Sequence, residues 1–238
     1  MPLFFCLFMN TSLLNNYLEQ FLNERRVKLI EEKISFRTRY FSILLEDVYQ
    51  SKNISAVLRT AECFGIQDIH IIENKNQFEY NPYVTRGADK WLTKKQYNAA
   101  QDNTQTAIDH IKKEGYRLIV TSPNVEGYTP DNFDITAGKF VVAFGTEWEG
   151  VSNTLLHHAD AFIRIPMVGY TESLNLSVSA AIVMYTLTNR IRSTNIQWQL
   201  SPEETEEVKL AWIKAMIRKP ELLINNFLSS NNSSDLNM

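Results

Sequence analysis

The chain has 238 residues, 44% hydrophobic and 21% charged, an ordinary globular composition long enough for one main core with terminal extensions. Its two cysteines, Cys6 and Cys63, stand outside any C-x-x-C or Cys/His cluster, which excludes a disulfide framework and a structural zinc site, so a reducing cytoplasm and no metal are expected. The net charge of -3 argues mildly against a nucleic-acid partner, yet the basic residues cluster at 25–39, 86–95, 190–192 and 209–219, and the placement of positive charge matters more than its sum.

The opening run from Met1 to Met9 is apolar but lacks a basic flank and a small-residue cleavage site, and it is too short to span a membrane. It is expected to be a disordered extension, with Met9 as a plausible start and no membrane partner. Residues 13–35 place Leu14, Leu18, Phe21, Leu22, Val27, Leu29 and Ile30 among charges, the pattern of one or two amphipathic helices. The middle then alternates apolar strand-like runs with helical patterns: strand 41–48, helix 54–64, strand 67–73, helix 104–114, strand 116–122, strand 139–144, helix 152–158, strand 161–165 and a long helix 174–192. Strands separated by helices at this spacing predict an α/β fold, a parallel sheet with helices on both faces. Ser201-Pro202-Glu203-Glu204 supplies an N-cap, a first-turn proline and first-turn acids, so a helix over 202–218 follows. The division expected is an N-terminal helical extension 1–40, a main domain 41–192, a C-terminal helical extension 193–228 and a disordered tail 229–238, low in apolar residues.

Neither G-x-G-x-x-G nor G-x-x-x-x-G-K-[ST] occurs among only eight glycines, which argues against a dinucleotide fold and a P-loop. His157 and His158 are adjacent rather than four apart, so they form no zincin pair, and His70 and His110 read as core-edge or surface residues.

Three stretches carry more chemistry than packing requires. In 53–65 (NISAVLRTAECFG), Asn53 is placed to cap a helix, Val57, Ala61 and Phe64 form its buried stripe, and Gly65 ends it in the left-handed conformation. Arg59 is unexplained by that pattern, unless it simply pairs with Glu62 one turn on. In 144–152 (FGTEWEGVS), two glycines flank an acidic tripeptide after a buried strand, where open α/β sheets bind ligands; a plain surface turn with Ser152 as a cap fits equally. In 165–181 (IPMVGYTESLNLSVSAA), a strand leads through Gly169 into a helix start rich in serine and asparagine, which leaves N–H groups and small side chains around a concavity. Capping alone accounts for one of those polar residues, not for the run.

In this order, N-x-x-A-x-x-R, G-x-E-x-x-G and I-P-M-x-G-x-x-x-S-L-N-x-S resemble the three motifs of the SpoU/TrmH branch of the SPOUT methyltransferases, over roughly residues 26–228. The resemblance implies an α/β domain with a C-terminal deep trefoil knot, an exception to the rule that chains are unknotted. It also implies a homodimer whose sites are completed across the two-fold, and S-adenosylmethionine (AdoMet) as methyl donor. Carried over by position, the cofactor would rest on Thr121, Gly145, Ile165, Met167 and Leu174, mainly through backbone groups. Asn53, Arg59, Glu147, Ser173 and Asn175 would surround the target ribose of an RNA. The terminal helical extensions are similar to those of members acting on tRNA, which points to guanosine-18 of the D-loop. Those members carry two arginines 16 and 18 residues after the motif-three serine; here Asn189 and Ile191 stand there, with Arg190 and Arg192 one step on. Lys52 replaces a histidine often found before the first-motif asparagine.

The reaction expected from the resemblance is in-line attack of a ribose 2'-oxygen on the sulfonium methyl, with Arg59 as base or, since guanidinium stays protonated, as electrostatic stabiliser of the developing alkoxide. Ser173 and Asn175 would orient the loop and Arg59, and Glu147 would fix the second-motif turn. A ribosomal-RNA 2'-O-methyltransferase would show the same motifs, and a non-catalytic RNA-binding module would keep the basic clusters without holding cofactor.

Overall fold

The computed structural model describes residues 2–146 and 148–234. Chain contacts divide it into two compact units: one is residues 38–198, the other joins 1–37 to 199–238.

The central unit holds a six-stranded parallel sheet, β1 (Phe41–Glu46), β2 (Asp68–Ile72), β3 (Thr93–Tyr97), β4 (Arg117–Thr121), β5 (Phe140–Phe144) and β6 (Ala161–Ile163), in the order β3-β2-β1-β5-β4-β6. All five strand pairings are parallel, with Ile43 opposite Ile69 on one side and Val142 on the other. Because successive strand residues face opposite ways, the sheet builds two cores. Ile43, Leu45, Ile119, Phe140, Val142 and Phe144 meet α3 (Ser51–Cys63) and α7 (Leu176–Arg192). Leu44, Leu118, Val120, Val141 and Ala143 meet α5 (Asn103–Lys113) and α6 (Asn153–His158). Helices on both faces of a parallel sheet are what the hydrophobic runs predicted, since strands buried on two sides lose their polar alternation.

Three local differences have physical causes. β1 stops at Glu46 rather than continuing to residue 48, because Asp47 turns into the left-handed region at φ 51°. β3 is an edge strand that sequence pattern misses, since TKKQY carries two lysines; Lys94 lies 4.9 Å from the Tyr80 ring centroid, and Lys95 turns back to Asp68 at 3.1 Å and Glu114 at 2.9 Å. Between β2 and β3 a short helix α4 (Pro82–Thr85) and a 3-10 turn (Ala88–Trp91) also escape periodicity, because each is only four residues long.

The other unit is helical: α1 (Pro2–Glu19), α2 (Glu24–Ile34), α8 (Pro202–Met216) and α9 (Pro220–Ser234). Leu18, Ile30, Val208, Trp212 and Ile213 are buried in it, and Asn15 donates to the Glu206 carboxylate at 2.7 Å while Lys209 pairs with Glu19 at 2.6 Å. α8 starts with the full capping box of Ser201 and Glu204, as its sequence predicts. Two expectations of disorder are corrected: α1 reaches back to Pro2 and α9 takes in residues 229–234. Asp235 to Met238 lie outside the described residues, as does Met1. Among the described residues no helix is long and apolar enough to cross a membrane.

Candidate active site

The carboxyl ends of β4, β5 and β6 share one edge of the sheet, and the segments leaving them surround a cavity of about 490 Å³. Thr121, Gly145, Ile165, Met167, Ser173 and Leu174 all line it. The five residues expected to hold a cofactor therefore converge, together with one of the residues expected at the ribose, although they span more than fifty positions of sequence. Further wall comes from segment 122–125, from Thr146 and segment 148–151, and from the first turns of α7 through Leu176, Ser179 and Val183. These additional residues, Thr146 and Trp148 among them, follow strand ends, which is the signal that could have found them.

The turn after β5 is built tightly. Thr146 and Gly150 exchange both backbone hydrogen bonds, at 2.9 and 3.1 Å, and the Thr146 hydroxyl accepts from the Glu149 N–H at 2.9 Å. A Cβ on Gly145 would run into the backbone of Gly150 and Val151, so any larger residue must displace the turn itself. Ser152 then caps α6, accepting from the Leu155 N–H at 3.2 Å. Glu147, expected in this turn, lies outside the described residues.

The wall from β4 is held as firmly. The Thr121 hydroxyl donates to the Ala143 carbonyl at 2.8 Å, and the Ser122 N–H donates to the Ile163 carbonyl at 3.1 Å. What Thr121 presents to the cavity is therefore mainly backbone. The chain then passes to the far side of β6, where the Tyr128 N–H donates to Phe162 at 2.9 Å and Tyr128 accepts from Arg164 at 2.9 Å.

Asn53 and Asn175 join the first and third motifs: the Asn175 amide donates to the Asn53 side-chain oxygen at 3.2 Å. Asn53 is not the helix cap expected of it. α3 begins at Ser51, with Gln50 as the N-cap residue, and Asn53 lies within the first turn, buried at 7% exposure. Asn175 is the true cap of α7, accepting from the Ser177 N–H at 2.9 Å and the Ser177 hydroxyl at 2.6 Å. Neither asparagine lines the cavity.

Arg59 is six residues along α3 from Asn53, about 9 Å up the axis and roughly a third of a turn round. It is exposed, it does not line the cavity, and no ion pair to Glu62 or hydrogen bond to another described residue holds it. Within one chain the structure thus groups Ser173 with the cofactor set and Asn53 with Asn175, and leaves Arg59 apart. Arg190 and Arg192 are tied down: Arg190 donates to the Pro130 carbonyl at 2.7 Å, and Arg192 donates to the Phe64 carbonyl at 3.0 Å and lies 5.3 Å from the Trp198 ring centroid. Their shift by one position relative to the resemblance has given them partners within the fold.

The chain matches the model of the SpoU rRNA Methylase family over residues 40–185. It is also 36% identical over 208 residues to the tRNA (guanosine(18)-2'-O)-methyltransferase of Borreliella burgdorferi, covering 87% of this chain and 93% of that one. This protein is a member of the SpoU family. Two solved structures agree. The TrmH/SpoU tRNA modifying enzyme of A. aeolicus superposes with a TM-score of 0.72 at 25% identity, over 82% of this chain and 98% of that one. The fold also matches a SpoU methyltransferase of Streptomyces viridochromogenes, crystallised in complex with the cofactor AdoMet, with a TM-score of 0.55 at 20% identity over 69% and 62%. Residues of the 144–152 and 165–181 stretches line the cavity, and none of the 53–65 stretch does.

Proposed function

We propose that this SpoU protein transfers the methyl group of AdoMet to the ribose 2'-hydroxyl of guanosine-18 in tRNA. The observation that carries the reading is the convergence of segments 121–125, 144–151 and 163–176 on one cavity. Its volume, about 490 Å³, is that of a nucleoside-sized ligand site, and Gly145 lines it at a turn so tight that a Cβ there would strike the Gly150 and Val151 backbone. AdoMet fits such a mixed polar and apolar wall, because its adenosine needs backbone partners and an apolar slot rather than a phosphate cradle. Thr121, Gly145, Ile165, Met167 and Leu174 would hold it. When bound, AdoMet supplies an electrophilic methyl on a sulfonium.

The residues of this chain contribute position and electrostatics. Asn53 and Asn175, locked together, set the start of α7 and so the course of the loop that carries Ser173. Arg59 stabilises the developing alkoxide of the ribose or draws its proton away, and Glu147 fixes the turn after β5. Since Arg59 stands away from the cavity of its own chain, it acts in the cavity of a second copy. A homodimer is further supported by Val178, Ile182 and Tyr185 on α7, exposed at 46%, 38% and 57%, an apolar stripe at helical spacing that stays largely open to solvent although the Tyr185 ring meets that of Phe64 at 5.9 Å. The deep trefoil knot is supported by the grip on β6. It is bonded to β4 on one side and to Tyr128 on the other, so 122–127 forms an arch past which the chain leaving Ile163 must run. The enzyme would work in the cytoplasm, with its substrate.

A tRNA rather than a ribosomal RNA is favoured by the 36% identity to the Borreliella enzyme, which extends over 93% of that chain. Incubation with methyl-labelled AdoMet and either tRNA or ribosomal RNA tests the reading. Label is expected in tRNA; label in ribosomal RNA alone would reverse the substrate, and label in neither would defeat the activity.

A further inference from the structure

Glu46 ends β1 with a carboxylate that is 3% exposed and forms no ion pair with a described residue. It accepts three short hydrogen bonds instead. The Thr104 hydroxyl donates to Oε1 at 2.7 Å, the Ser152 hydroxyl donates to the same oxygen at 2.7 Å, and the Ser152 backbone N–H donates to Oε2 at 2.7 Å. Thr104 is itself oriented by the Asn74 amide at 2.8 Å, and Ser152 by its cap to Leu155. One buried carboxylate thus ties the start of α5 to the last residue of the second-motif turn.

The neighbouring Asp47 works in the opposite direction. Its left-handed backbone aims its carboxylate at the loop after β2, where Oδ1 accepts from the N–H groups of Asn74, Lys75 and Asn76 at 2.7, 2.8 and 3.3 Å. That loop presents Lys75 to Glu149, on the other side of the same turn, at 3.0 Å. The Lys75–Glu149 pair is exposed at 70% and 73% and is screened by water. Of these two tethers that reach the turn from other elements, the buried one is Glu46.

We infer that Glu46 is a positioning residue for the methyl-donor site, acting through Ser152 to keep the 145–152 turn in the shape that leaves the cavity open. The inference rests on the reading of the cavity as an AdoMet site. Two features separate this role from general support of the fold. Glu46 makes its bonds through Ser152, at the end of the cavity-lining turn, and the opposite end of that turn is Gly145, packed so closely that an added Cβ would meet the Gly150 and Val151 backbone. A hydrogen-bonded buried carboxylate is also replaced poorly by an amide, because one NH2 group then faces a donor and leaves it unsatisfied.

The test is Glu46→Gln in the full-length protein, with AdoMet affinity measured by calorimetry, the KM for each substrate and kcat measured separately, and melting followed without ligand. A rise in the AdoMet Kd and KM of tenfold or more is expected, with the KM for tRNA within twofold. Should Glu46→Gln fail to fold, Ser152→Ala removes the hydroxyl donor while keeping the backbone bond, and the same selective change is expected at threefold or more. AdoMet affinity within twofold of wild type in the folded variant, or a melting temperature lowered with no change in affinity, overturns the inference. A wild-type protein that binds no AdoMet overturns the reading beneath it, an outcome distinct from a variant that binds as wild type does.

Discussion

On the β2–β3 side of the sheet, charged groups satisfy one another. Asp68 takes Arg39 at 3.0 Å and Lys95 at 3.1 Å, Lys95 continues to Glu114, His110 meets Glu114 at 3.2 Å, and Tyr97 bridges His110 at 2.6 Å to the fully buried His70 at 2.9 Å. On the β4–β6 side the chain leaves backbone groups, hydroxyls and one indispensable glycine around an open cavity, with few charges. The first region is a network of clustered titratable groups; the second surrounds the cavity of about 490 Å³, where few of the lining side chains titrate. A site for transfer of a methyl from a sulfonium to a neutral hydroxyl needs placement more than acid and base groups, so chemistry is found where the charge network is not.

Breaking each region should therefore have a different signature. Asp68→Asn removes the charge shared by Arg39 and Lys95 and should cost about 3 kcal/mol in urea unfolding, with AdoMet affinity within twofold where the variant is folded. Gly145→Ala should do the reverse: an AdoMet Kd raised a hundredfold or more by calorimetry, with near-native unfolding of the remaining sheet. A hundredfold loss in the first variant, or none in the second, would erase the distinction.

A pH titration sharpens it. Burial first, then the charges of Lys95 and His110, lower the His70 pKa to about 3. His70 is then neutral in the folded state, while in the unfolded chain it gains a proton below its ordinary value near 6.5. The unfolded state binds more protons, so stability falls as pH drops from about 6.5 toward 3, by roughly 1.4 kcal/mol per pH unit for this group. Replacing His70 by Gln should remove up to one proton from the slope of unfolding free energy between pH 6.5 and 5, and leave AdoMet affinity at pH 7.5 unchanged. The smallest effect is expected at the surface: Lys75→Ala, which breaks the exposed pair with Glu149, should leave the urea midpoint of unfolding where it is and change AdoMet affinity by less than twofold.

The sequence shows the buried strands and the glycine turns well, because both are local. β5 is a continuous apolar run and β1 carries Ile43, Leu44 and Leu45 in succession, and Gly145 and Gly150 punctuate the turn between a strand and a capped helix. β3 is hidden because its lysines find carboxylates on other elements. Glu46 is hidden for the same reason, since its partners lie 58 and 106 residues away. The cap assigned to Asn53 fails because α3 starts three residues earlier than expected, at Ser51 rather than 54, and that displacement buries the side chain against Asn175. Arg59 is conspicuous in sequence, yet its surroundings in one chain do not explain it, and a role for it in a second copy is part of the function proposed above.

The central claim is that the cavity at the ends of β4, β5 and β6 directs a methyl group to one ribose of tRNA. Digestion of a tRNA incubated with the protein and AdoMet, followed by mass spectrometry of the fragments, tests it most directly. The account predicts a single 2'-O-methylguanosine at position 18 that disappears with Gly145→Ala. A methyl group on a base, on another nucleotide, or undiminished in that variant would contradict it.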